Sequence, residues 1–190
     1  RLPPVLSDFS RSFPNVHLDI DFMDSEQAYE LTLRGEAELA VVTLAPAAVS
    51  NIVTHVIWDD PLDFMVQKEH ELAHKQRMDL RELSKYPAIL PGLNTYTGQI
   101  VKNLFDRRNL PMQVAIATNY LETIRMMASV GLGWTVLPRS MLDASLATLP
   151  IRDAQIARSL GVVHHESRSL SRAARAFIDA LESFSDVRAS

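Results

Sequence analysis

Residues 113–138 constrain this chain more tightly than any other stretch. Gln113-Val-Ala-Ile-Ala-Thr-Asn119 is a β-branched run suited to a strand. Tyr120–Val130 sets Leu121, Ile124 and Ala128 on one helical stripe, Gly131-Leu132-Gly133 stops the helix, and Trp134-Thr-Val-Leu137 before Pro138 reads as a second strand. Strand, helix and strand in such quick succession build a parallel sheet, because parallel neighbours need a crossover connection that a helix supplies.

The same alternation recurs toward the start. Leu6, Phe9 and Phe13 share a helical face that Pro14-Asn15 interrupts, and Val16–Phe22 alternates apolar and polar as a strand would. Asp24 as N-cap, with Gln27 three residues on, and Gly35 in a left-handed C-terminal position bracket a helix of about ten residues. Leu39–Leu44 then reads as a buried strand. Ile52–Trp58 reads as an edge segment and Leu62–Gln67 as a separate strand, with Asp59-Asp60 as loop or surface charges between them. A polar, helix-prone stretch follows over 69–85. Ile100, Val101, Leu104 and Phe105 then form one apolar stripe of a helix over 97–109. After Pro138 an irregular segment to about Ser159 precedes a strand Leu160–His165 and a last helix capped by Ser171, in which Ala173, Phe177, Leu181 and Phe184 align.

Two α/β units of similar size, 1–67 and 86–138, are followed by a strand-helix tail that needs a sheet to pack on. If the tail returns to the first unit, the chain crosses between lobes twice. The predicted domains are lobe I, 1–67 plus 165–190, and lobe II, 68–164, with separate sheets and a ligand cleft at the strand ends. At 47% hydrophobic such a core is affordable. No run reaches the roughly 18 apolar residues of a membrane span. Zero cysteines exclude disulfides and thiol chemistry, and a net charge of −4 argues against a nucleic-acid surface on this segment. A cytoplasmic location is expected.

Five ordered pieces carry a resemblance: Arg1-Leu2-Pro3-Pro4-Val5-Leu6 with Phe9, Phe13-Pro14 and Val16; Leu33-x-Gly35-Glu-x-Glu38-Leu-Ala-Val41; Asp59-Asp60-Pro61-Leu62 with Met65-Val66 and His70-Glu71-Leu72-Ala73; Val130-Gly131-Leu132-Gly133 with Leu137-Pro138; and Leu170-Ser171-x-Ala173-Ala174-x-x-Phe177. Together they resemble the effector-binding domain of LysR-type transcriptional regulators. The resemblance implies an α/β fold of two Rossmann-like lobes joined by two crossover strands, like the type 2 periplasmic binding proteins, with the first strand of lobe I and the DNA-binding domain missing. It implies no enzyme and no cofactor. It also implies a small anionic metabolite bound in the inter-lobe cleft, a homodimer (a tetramer for the intact protein), and contact with DNA and RNA polymerase only through the intact regulator. The alternative is a periplasmic solute-binding receptor of a transporter, which shares the fold.

Carried over from the family, Ser25, Thr43, Thr95, Thr97 and Asn119 are the expected effector-binding residues, at strand ends and helix starts where free N–H groups favour anions. Hydroxyls there also cap helices for stability alone. The resemblance places a dimer interface at Val5, Leu6 and Phe9 of one copy against Ile124, Arg125 and Ala128 of the other, residues that would equally fill their own cores. His70-Glu71-Leu72-Ala73-His74 spells the zinc-hydrolase pattern, but it lacks a third ligand and a firm helix, so no metal is expected. His164-His165 cannot serve one site, since neighbours on a strand point oppositely. Glu36 and Glu38 read as surface charges, and no nucleophile elbow or phosphate loop is present.

Overall fold

A computed structural model describes residues 2–189, of which 186–189 are described in backbone only. Arg1, the first residue of the opening motif, and Ser190 lie outside the described residues. Among the described residues there are six α-helices and seven strands: α1 (Leu2–Ser12), α2 (Ser25–Arg34), β1 (Leu39–Thr43), β2 (Ile52–Gln67), α3 (Leu80–Leu83), β3 (Ala88–Leu90), α4 (Tyr96–Asp106), β4 (Val114–Ala117), α5 (Leu121–Ser129), β5 (Trp134–Pro138), β6 (Leu146–Thr148), β7 (Ile156–His165) and α6 (Arg172–Ala189). The chain divides into two compact units, one of residues 1–58 with 159–190 and the other of residues 59–158. The chain passes between them twice, in the middle of β2 and near the start of β7. Because both strands belong to both units, the strands form one hydrogen-bonded series, β1-β7-β2-β5-β3-β4 with β6 on β2, rather than the two unconnected sheets expected from the sequence.

In the first unit, β1 pairs antiparallel with the end of β7, from Leu39 opposite His164 to Thr43 opposite Leu160. Val5, Phe9, Ile57, Trp58, Val162, Phe177, Ile178 and Leu181 are its core. The stripe of α1 meets that of α6 there, with the Phe9 and Phe177 rings edge to face at 5.1 Å. Gly35 takes φ 73 at the end of α2, where its N–H and that of Glu36 satisfy carbonyls of the last turn. Asp24 is the N-cap residue by backbone geometry, but its side chain does not make the capping bond. Ser171 does cap α6, accepting from the Ala174 N–H at 3.0 Å.

In the second unit, β3 lies parallel between β4 and β5, and β5 runs antiparallel to β2. Alternation sends Leu62, Phe64, Val66, Ala88, Leu90, Trp134 and Val136 to one face, against Val101 and Phe105 of α4. Met65, Ile89 and Leu137 go to the other face, against Ile124 and Ala128 of α5. Trp134 and Phe105 stack at 5.6 Å, and the indole N–H donates to the Tyr86 carbonyl at 3.0 Å, so the largest buried ring carries no polar debt. Each such side chain stabilises by about 1.5–3 kcal/mol on burial.

Three expectations need correction. Val16–Phe22 forms no strand: Val16 and Leu18 pack on the first unit's core, but Phe22 is 87% exposed, and no described strand offers it a ladder. A strand pattern without a partner for its N–H and C=O groups does not become sheet. Ile52–Trp58 and Leu62–Gln67 are one strand, with Asp59, Asp60 and Pro61 inside it, and Asp60 is 4% exposed rather than a surface charge. Finally, the irregular segment after Pro138 contains β6, and β7 starts at Ile156, ahead of Leu160.

Candidate functional site

The five predicted effector-binding residues fall at strand ends or helix starts, in two groups. In the first unit, α2 begins at Ser25 and β1 ends at Thr43, and the Thr43 N–H donates to Ser25 Oγ at 3.0 Å. One turn further along α2, the Tyr29 hydroxyl accepts from the Ala45 N–H at 3.1 Å. The amides that β1 frees as it leaves the sheet are thus met by side chains at the start of the next helix. Thr43 is buried and Ser25 half-buried, and the Ser25 hydroxyl keeps a proton to donate.

In the second unit, Gly92 follows β3 and Asn119 follows β4, and the Gly92 N–H donates to Asn119 Oδ1 at 3.0 Å. Thr95, the N-cap of α4, donates to the Gly92 carbonyl at 2.7 Å and accepts from the Gly98 N–H at 3.1 Å. Gly98 must be glycine, because a Cβ there would lie 2.1 Å from the Gly92 oxygen. These contacts pin the two loops that leave neighbouring parallel strands to the first turn of one helix. Thr97, buried in that turn, is directed elsewhere: the Arg158 guanidinium donates to its Oγ1 at 3.3 Å. Arg158 also donates from Nε to Asp60 Oδ2 at 2.9 Å, their side chains being 13% and 5% exposed. Sequence reasoning missed this pair; the partners stand 98 residues apart and no local pattern marks either.

Residues 70–74 do not form the metal-binding turn of a zinc hydrolase. Glu71–His74 is a single 3-10 turn, His70 caps it by accepting from the Leu72 N–H, and the Glu71 carboxylate accepts from the Tyr86 hydroxyl at 2.7 Å. That bond holds the Tyr86 phenol above its ordinary value. Two imidazoles need a full α-helical turn between them to share one ion. On β7, His164 Nε2 lies 3.3 Å from His55 Nε2, within the first unit.

Of the residues expected at a dimer interface, Val5 and Phe9 are 2% exposed in the first unit's core, and Ile124 and Ala128 are fully buried in the second's. Leu6 is half-buried, and Arg125 pairs with Glu122 and Asp143. Hydrogen bonding to Glu122, followed by the attraction of that charge and contact with Asp143, holds the Arg125 guanidinium above its usual value.

Comparison with known proteins gives this architecture a family. The description "LysR substrate binding domain" matches residues 1–185. The chain belongs to that family. The transcriptional activator CmpR of Synechocystis is 22% identical over 185 residues, covering 95% of this chain and 60% of its own length. The regulator YnfL of Escherichia coli is 28% identical over 176 residues, covering 88% and 59%. The chain therefore spans about three-fifths of these curated relatives. Among solved structures, the regulatory domain of CcmR from Synechocystis PCC6803 in complex with 2-PG superposes with a TM-score of 0.87 at 23% identity, covering 97% of this chain and 90% of that one. The effector-binding domain of QuiR in complex with shikimate gives 0.86 at 16% identity, covering 98% and 90%. These likenesses establish the periplasmic-binding-protein-like fold of LysR effector-binding domains. The family is one of transcriptional regulators, and these matches lend no support to the transport-receptor alternative.

Proposed function

We propose that this domain senses a small anionic metabolite on behalf of an intact LysR-type regulator. The observation that carries the reading is the match to the LysR substrate binding domain across residues 1–185. Supporting it, hydroxyl and amide groups stand at strand ends or helix starts in each unit: Ser25 and Thr43 in the first, Thr95, Thr97 and Asn119 in the second. Ser25, Thr95 and Asn119 are held by backbone groups of their own unit, and Thr97 by Arg158. Such groups bind and orient, and we assign the domain no catalytic step and no cofactor. We take the two compact units, residues 1–58 with 159–190 and residues 59–158, as the regulatory lobes expected over 1–67 with 165–190 and over 68–164.

The mechanism is population shift: an effector changes the state of the regulator only by its difference in affinity for two arrangements. In the intact protein, working in the cytoplasm, that shift alters contacts with DNA and recruitment of RNA polymerase. Dimerisation through α1 and α5, and a tetramer of the intact protein, complete the proposal. Leu6 and Arg125 are half-buried, while Val5, Phe9, Ile124 and Ala128 brace the two helices from inside their own units.

Thermal-shift screening of the chain against central metabolites tests this. A ligand at a hundred times its Kd adds about 2.7 kcal/mol to stability, which for a domain of this size raises Tm by roughly 5–10 °C. The reading expects at least one carboxylated or phosphorylated metabolite to do so. A panel in which only neutral molecules register contradicts the anionic assignment, and one in which nothing registers contradicts the sensor.

A further inference from the structure

Arg158 is the last residue of the second unit and Asp60 the second residue of it, on the two strands by which the chain enters and leaves. Their ion pair is nearly buried, and the same guanidinium reaches Thr97 in the first turn of α4. A buried pair of this kind is a weak source of net stability, because desolvation offsets most of the attraction. Its geometry is better suited to recognition. A guanidinium carries five N–H donors in a planar fork. The described contacts use Nε toward one Asp60 oxygen and one N–H of Nη1 toward Thr97, which leaves donors on the Nη1/Nη2 edge. Thr97 accepts from Arg158 and so keeps its own hydroxyl proton to give.

We propose that Arg158 is the anion-selecting residue of the effector site. Its Nη1/Nη2 edge, with the Thr97 hydroxyl, binds the carboxylate, phosphate or sulfate group of the effector, and Asp60 is the internal counter-ion that aims the fork. This rests on the reading above that Thr97 touches effector. Bidentate oxyanion binding is what arginine's fork does and a lysine point charge does not. Asp60, as a neighbouring negative charge, lowers the affinity for an incoming anion, so removing its charge strengthens binding. A purely structural pair would give no such gain.

The test is a calorimetric titration of inorganic phosphate into the 190-residue chain at constant ionic strength, with chloride as the balancing ion. Wild type is expected to bind saturably. Arg158→Gln weakens binding at least tenfold, Arg158→Lys falls between, and Asp60→Asn tightens it severalfold. Should Arg158→Gln fail to fold, Asp60→Asn and Thr97→Val, one gaining and one losing affinity, decide. Phosphate affinities within twofold across wild type, Arg158→Lys and Asp60→Asn, or no saturable binding to wild type, overturn the proposal. A neutral metabolite that stabilises wild type and Arg158→Gln equally removes the role of Arg158 and leaves the sensor standing. A silent metabolite panel beside Arg158-dependent phosphate binding does the reverse.

Discussion

At the scale of single residues, the side chains that matter most are those whose polar atoms are out of reach of water. Thr135 on β5 is fully buried between Met65 and Ile89, and its hydroxyl is without a partner among the described residues. Valine has the same shape without the oxygen, so Thr135→Val is expected to raise stability by about 1 kcal/mol. The midpoint of urea unfolding measures it, and a lower midpoint would show that the hydroxyl has a use. Asp143 illustrates the solvent-facing case. The Ser145 hydroxyl, then its N–H, and then Arg125 hold this carboxyl below the ordinary aspartate value of 3.8. A depressed carboxylate contributes stability that is present above its unfolded value and lost as pH falls through the folded one. Ser145→Ala is expected to move the Asp143 titration back toward 3.8, read from its carboxyl carbon by NMR. No movement would remove the serine as the leading cause. Residues of both kinds were invisible to pattern reading. Asp60 looked like a loop charge because the guanidinium that neutralises it stands 98 positions away, and distance in sequence hides electrostatics.

Elements were more legible, for a reason that α5 and β5 illustrate. Leu121, Ile124 and Ala128 repeat at the helical period and Trp134–Leu137 is a short apolar run, so local sequence and tertiary burial agree. The stripe of α4 and the Ser171 cap of α6 were readable on the same grounds. Val16–Phe22 has an equally clear period and forms no strand, because periodicity states a face and not a partner. The opposite error befell β2, where Asp-Asp-Pro resembles a break yet the strand continues through it. The Asp60 carboxylate inside it meets the Arg158 guanidinium. The α4 entry was only half readable: Thr95 as a capping residue, but not the contact of Gly98 with Gly92 that makes the turn so tight. Gly98→Ala forces that backbone apart and is expected to cost roughly 1–3 kcal/mol, the usual penalty of overpacking. Chemical denaturation measures it, and an unchanged midpoint would mean that the loop yields freely.

For the molecule as a whole, alternation of strands and helices pointed to the α/β class, and the ordered motifs pointed to the LysR effector-binding family, which the match over residues 1–185 establishes. Of the expected effector-binding residues, Ser25 is bonded to Thr43, and Thr95 is joined to Asn119 through Gly92. Thr97 meets the guanidinium of Arg158. The central claim is that this domain senses a small anionic metabolite through groups such as these. Amide hydrogen exchange of the chain, with and without a saturating metabolite from the screen, tests it most directly. The account expects slowed exchange at these groups, at residues 43–45 of the first unit or at 92–98 with 118–119 of the second. Protection lying away from all of these segments, or no protection at all, would contradict it.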